Sequence, residues 1–102
     1  MIAIIGDWVD GSRKAFAEAE QHLIDTERYH NIYGTDDIIN TAKVLDTMLF
    51  LNYKQQVNLM IHLLSYCDTA YMLKGWENNN DVRLLHDYAE NNNYRIIYSK
   101  KF

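Results

Sequence analysis

Residues 69–98 constrain the fold of this chain more than any other stretch. They read TAYMLKGWENNNDVRLLHDYAENNNYRIIY: an apolar run, a Gly-Trp loop, a segment of helical period and a second apolar run. Two strands joined through a helix lie parallel, and the crossover between them is right-handed. Two asparagine triplets, Asn78–Asn80 and Asn91–Asn93, bracket the helical segment. Asparagine favours helix caps and left-handed turns, so both ends of that helix are marked.

The rest of the chain extends the same alternation. Ile2–Ile5 is a short apolar run closed by Gly6, as expected of a central buried strand. Asp10 or Ser12 is suited to cap the following helix, whose Phe16, Ala19 and Leu23 recur on one face. Tyr29–Tyr33 reads as a second strand before Gly34, and Thr35, Asp36 and Asp37 as a helix start, with the acids at the positive end of the dipole. Ile38, Leu45, Met48 and Leu49 supply that helix with apolar positions. Asn52 caps a third helix carrying Val57, Met60, Ile61 and Leu64. Strand 69–73, a helix over 80–92 and strand 94–98 complete the order β-α-β-α-α-β-α-β.

Such alternation predicts an α/β fold with about four parallel strands and helices on both faces. Right-handed crossovers leave few topologies; if the second strand lies on one side of the first and the third on the other, the spatial order is 2-1-3-4 and the switch point falls between the first and third strands. The 102 residues fit a single domain spanning 1–102. With 48% hydrophobic and 24% charged residues, the composition is that of an ordinary globular chain.

Several function classes are disfavoured. The formal net charge is -4, and Lys100 and Lys101 are too few for a duplex nucleic-acid footprint. No apolar stretch approaches the roughly 18 residues a membrane span needs. The N-terminus MIAIIGDWVD reads as a strand rather than a signal peptide. A single cysteine, Cys67, excludes an internal disulfide and fits a reducing cytoplasm. A buried small hydrophobe is the preferred reading of Cys67 over a reactive thiol.

In open α/β sheets ligands bind beyond the carboxyl ends of the strands at the switch point. Two loops meet there, 6–13 (GDWVDGSR) and 74–79 (KGWENN), each pairing a glycine with a tryptophan and a carboxylate. Trp8 and Trp76 are suited to stack on a flat ligand, although loop tryptophans also serve as core lids or subunit contacts. Asp7, Asp10, Glu77 and Asp81 cluster around the same crevice, and paired acids can divide acid and base roles. Gly11, Ser12 and Arg13 offer an anion site at a helix start, or an ordinary turn. Neither a dinucleotide fingerprint nor a Walker sequence is present. His22, His30, His62 and His86 lack a metal-ligand spacing, so no metal and no cofactor is expected. His86 is the histidine placed to reach a ligand. Arg83 is a candidate phosphate contact, or a surface partner of Asp87 four residues on.

The stretch from Cys67 and Asp68 through Ala70-Tyr71-Met72-Leu73-Lys74-Gly75-Trp76-Glu77-Asn78, then Arg83-Leu84-x-His86 and Ala89, resembles a small phage and prophage family of nucleoside 2-deoxyribosyltransferase-like proteins. That family's pattern is close to C-D-A-I-Y-M-L-P-G-W-E-x-S-x-G-A-x-x-E-H-x-x-A. Ile4-Ile5-Gly6 and Phe16-x-x-Ala19 fit its N-terminal I-S-G-P-M-T-G…F-x-x-A pattern. The likeness covers both ends of the chain and is weak over 29–58. It implies a flavodoxin-like sandwich handling nucleosides or nucleotides, assembled as a homo-oligomer and working without metal. It also implies cleavage of an N-glycosidic bond by a glutamate nucleophile. This chain departs from the pattern where the chemistry lies. Leu85 stands at the nucleophile position, Met60 aligns with the acid of the preceding helix, Asp81 replaces a glycine, and Asp7-Trp8 replaces proline-methionine.

The resulting expectation is a non-catalytic nucleotide or nucleoside binder in the cytoplasm, that of the host if phage-encoded, which sequesters a nucleotide signal or modulates host nucleotide metabolism. Gly6, Asp7 and Trp8 would form one wall, Gly75, Trp76 and Glu77 the other, with Arg83 and His86 approaching from the helix. Two alternatives stand beside it: an active N-glycosidase or deoxyribosyltransferase using Glu77 or Asp7, and an interaction module contacting a host protein, favoured by eight tyrosines and two tryptophans. A cavity lined by Trp76 and Leu85 would favour binding. Packed side chains around Leu85 would favour the interaction role.

Overall fold

In the computed structural model, which describes residues 1–8, 13–26 and 38–102, four strands form one parallel sheet in the order β2-β1-β3-β4. The strands are β1 (Ile2–Ile5), β2 (Ile38–Asn40), β3 (Thr69–Met72) and β4 (Arg95–Tyr98). The helices are α1 (Arg13–Thr26), α2 (Thr41–Asp46), α3 (Tyr53–Leu64) and α4 (Asn80–Asn91), with a 3₁₀ turn at Trp76–Asn78. The architecture is the flavodoxin-like one expected, with its switch point between β1 and β3.

Successive side chains of a strand point to opposite faces, and this alternation divides the core in two. Ile2, Ile4, Tyr71 and Leu73 pack on one face with Phe16, Ala19 and Leu23 of α1. Ala3, Ile5, Ala70 and Met72 pack on the other with Met60 and Leu64 of α3 and Val82, Leu85 and Ala89 of α4. β1 and β3 are buried along their whole length, which explains their unbroken apolar sequence.

Local chemistry sets the helix ends. Asn52 and Gln55 form a reciprocal capping box at the start of α3. The Asn79 side chain accepts from the backbone N–H groups of Asp81 and Val82, opening α4. At its far end Asn93 adopts a positive φ of 60°, and Tyr94 N–H donates to Ala89 C=O and Asn93 N–H to Glu90 C=O, a Schellman closure. Both asparagine triplets therefore cap α4 as their composition predicts.

The second strand differs from expectation. Ile38, anticipated as a helix position, pairs with Ile2 in β2, and Ile39 and Asn40 pair with Ala3 and Ile4. Asn40 ends β2 and caps α2 through Lys43 N–H, so strand passes to helix without a loop. The buried Thr41 hydroxyl donates to Ile4 C=O at 2.7 Å and ties that junction to β1. Helix α2 ends at Asp46, so Met48 and Leu49 lie beyond it, with Leu49 85% exposed. The expected strand over 29–33, the helix start at Thr35–Asp37 and the caps Asp10 and Ser12 lie outside the described residues. Among the described residues no helix is long and apolar enough to cross a membrane.

Candidate functional site

The carboxyl ends of β1 and β3 meet closely. Leu73 N–H donates to Ile5 C=O at 2.8 Å, and a Cβ on Gly6 would lie 2.8 Å from Leu73 Cδ1 and 3.0 Å from Leu73 Cβ. Gly6 is therefore required by the approach of the two strands. Beyond Leu73 the chain turns through Gly75, whose φ of 83° is left-handed. That turn brings Trp76 back over α4.

Two clusters flank this end of the sheet. In the first, Trp76 stacks on His86 with ring centroids 4.1 Å apart and 23° between planes, and Tyr98 at the end of β4 completes the group. His86 is buried, with Nε2 2.7 Å from the Tyr98 hydroxyl and Nδ1 3.2 Å from Asp87. Nε2 also lies 3.8 Å from the Glu90 carboxylate, so each ring nitrogen of His86 has a carboxylate near it. Asp87, expected to pair with Arg83, thus contacts His86, and Arg83 is exposed. Trp76 is half-buried, held by the His86 stack and the Tyr98 ring and packed against the core.

The second cluster lies where α3 and α4 begin. Trp8 is 3% exposed and belongs to the core. Its indole N–H donates to Gln56 at 3.0 Å, and Gln56 in turn donates to Leu51 C=O. The Tyr53 ring covers Trp8 with centroids 6.0 Å apart and 19° between planes. The Tyr53 hydroxyl donates to the Asp81 carboxylate. That hydrogen bond, then partial burial and the negative charge of Asp81, push the phenol pKa up to about 12. Asp7 adds to the rise, and a hydrogen bond with Asn79 opposes it. Asp7, Asn79 and Asp81 therefore all act on one phenolic oxygen. Of the expected acids, Asp81 contacts Tyr53 and Asp7 bears on it through its charge, Glu77 is exposed on the 3₁₀ turn, and Asp10 lies outside the described residues. Trp8, expected as an open wall, is instead a covered floor.

Tyr53, Gln56 and Asn79 were not anticipated as site residues. The signal was present: an Asn52 cap places Tyr53 and Gln56 three apart in the first turn of α3, on one side of the helix. What no local pattern supplied was the direction of that turn, toward Trp8.

Beside Trp8 a cleft of about 200 Å³ is lined by Trp8, Arg13, Leu45, Asp46, Met48 and Gln56, with Leu49 at its edge. Arg13, the expected anion contact, donates from Nε to both Asp46 oxygens at 3.1 Å and is thereby neutralised locally. A larger concavity of about 390 Å³ follows β2 between Met1 and Thr47 and bears no relation to the switch point. Among the described residues no group of three His, Cys, Asp or Glu side chains is placed to hold a metal ion. Cys67 is buried, and that burial raises its thiol pKa.

The positions tied to glycosidic chemistry are apolar and interior. Leu85 is 0% exposed and Met60 1%, and both belong to the core cluster that contains Trp8, Val82 and Ala89. Leu85 meets packed side chains, so the cavity sought between it and Trp76 is filled by the core.

A comparison with curated proteins and with solved structures finds no match. Residues 3–98 match the model of the family described as a domain of unknown function, DUF4406, and the chain belongs to that family.

Proposed function

We propose that this protein binds a nucleoside or nucleotide at the carboxyl end of its sheet, between the β1 and β3 loops, without cleaving the glycosidic bond. The observation that carries the reading is the placement of Tyr53 over Trp8 with its hydroxyl on Asp81, at the end of the sheet where β1 and β3 stop. It combines an aromatic surface with directed polar groups, the ordinary make-up of a small-molecule site. The resemblance to deoxyribosyltransferase-like proteins supports the ligand class. Loss of chemistry follows from Leu85 and Met60, which stand in the core where that resemblance calls for carboxylates. A leucine offers no lone pair to an oxocarbenium-like centre. Sequestration of a nucleotide signal in a host cytoplasm would need binding alone.

Calorimetric titration with a panel of nucleosides and nucleotides, alongside chromatographic assay of free base, tests the reading. Binding without base release is the expected result. No heat with any ligand at millimolar concentration removes it, and base release abolished by Glu77→Gln or Asp7→Asn replaces it with an active glycosidase.

A second reading, an interaction module, is favoured by packed Leu85 and by Leu49 and Phe50, which are 85% and 80% exposed on the turn between α2 and α3. Paired exposed apolar side chains suit a protein contact. A concentration-dependent oligomer dispersed by Leu49→Ser with Phe50→Ser, together with silent calorimetry, would establish it.

A further inference from the structure

Tyr53 lies over Trp8 at the start of α3. Its ring is 44% exposed, whereas the Trp8 indole beneath it is 3% exposed. Its ring stacks on Trp8, and its hydroxyl is held by the hydrogen bond to Asp81 with Asn79 beside it. The helix start does not depend on that side chain, because Asn52 and Gln55 cap α3 by themselves. Rotation about the Tyr53 side-chain bonds would therefore uncover one face of Trp8 and release the Asp81 carboxylate with α3 intact.

The geometry points to Tyr53 as a displaceable plug, and to a ligand that takes over its two contacts: an uncharged planar heterocycle stacked on Trp8 and donating an N–H or O–H to Asp81. This inference rests on the binding reading above and adds the residue that sets affinity and the charge of the ligand. The phenol is an internal stand-in, a flat ring with one donor directed at a carboxylate. A nucleobase or an unphosphorylated nucleoside presents the same pair of features. A phosphate placed near Asp81 and Asp7 would meet like charge, and Arg13 in the adjoining cleft is already committed to Asp46. Binding must first displace the phenol, so the apparent affinity is lowered by the fraction of molecules in which the plug is closed.

The test is calorimetry of the native chain, Tyr53→Phe and Tyr53→Ala against adenosine, deoxyuridine and their 5′-monophosphates, with circular dichroism to confirm folding. Tyr53→Phe keeps the ring and removes its tether to Asp81. Nucleoside binding is expected to tighten about tenfold in Tyr53→Phe, the scale of one charge-assisted hydrogen bond at a half-exposed site. Tyr53→Ala should tighten it at least as far, and if that variant fails to fold, Tyr53→Phe decides alone. The native chain should prefer each nucleoside to its monophosphate. Nucleoside binding that is unchanged or weaker in Tyr53→Phe overturns the plug and leaves the binding reading standing. Tighter binding of the monophosphates overturns the uncharged ligand. Silence of the native chain and both variants with every titrant overturns the plug and the binding reading together.

Discussion

Replacement of Leu85 by glutamate restores the residue type that the resemblance places there, and the structure predicts that it strongly destabilises the fold rather than reviving catalysis. Leu85 is fully buried among Trp8, Met60, Val82 and Ala89. Two costs add. Loss of the buried leucine surface is worth about 2 kcal/mol. The carboxyl group must also stay neutral in the core, and buried glutamates titrate at about pH 8–9 against about 4.3 in an unfolded chain. At neutral pH the gap from 4.3 is about 2.7 units, which at about 1.36 kcal/mol per unit adds about 4 kcal/mol. The sum, about 6 kcal/mol, is comparable to the lower end of the roughly 5–15 kcal/mol that holds a domain together.

The sign follows from linkage. The folded pKa is raised, so the fold binds the proton more tightly than the unfolded chain. The penalty therefore grows as pH rises from the unfolded pKa toward the folded one, then levels off. Urea unfolding followed by tryptophan fluorescence, with the native chain measured in parallel, should show Leu85→Glu about 2 kcal/mol less stable near pH 4 and about 6 kcal/mol less stable near pH 7. Leu85→Gln, similar in shape and without charge, should show a deficit that does not change with pH. A Leu85→Glu protein within about 1 kcal/mol of native at neutral pH would mean that position 85 faces water, and the argument for lost glycosidic chemistry would lose its basis.

Three further outcomes are expected. In a spectrophotometric titration Tyr53 should ionise late, near pH 12, and Tyr53→Phe should remove that contribution while leaving the upward shift that burial gives Tyr94. Because the folded pKa is raised above 10.0, the stabilisation is present below that pH and disappears as pH rises through about 12. Asn52→Ala removes the capping box of α3 and should lower unfolding free energy by about 1 kcal/mol, read as a lower urea midpoint at constant slope. Gly6→Ala forces a methyl group to within 3.0 Å of the Leu73 Cβ and should cost about 1–3 kcal/mol, measured in the same assay.

Most of the fold was legible in the chain because its signals are local. The apolar runs at Ile2–Ile5, Thr69–Met72 and Arg95–Tyr98, the spacing of Phe16, Ala19 and Leu23, and the caps Asn52 and Asn79 each act within a few residues. Strand β2 was not legible. Ile38–Asn40 is three residues long and owes its strand state to pairing with Ile2, Ala3 and Ile4, more than thirty positions away. A short edge strand of that kind has too few residues for periodicity to reveal it. The same distinction divides the site. Gly6 and the Gly75-Trp76 turn announce themselves by residue type and position between strand and helix. The pairing of Tyr53 with Asp81 over Trp8 joins three separate elements and leaves no mark in any one of them.

By itself, the sequence determined the alternation of strands and helices, several of their caps and the parallel class of the sheet, because hydrophobic period and crossover handedness act without knowledge of the final packing. Only the tertiary structure decided what fills the carboxyl end of the sheet. It placed Leu85 and Met60 in a closed core, turned Trp8 from a wall into a floor, and set Tyr53 above it. Burial and long-range contact are properties of the packed chain, and no single segment carries them.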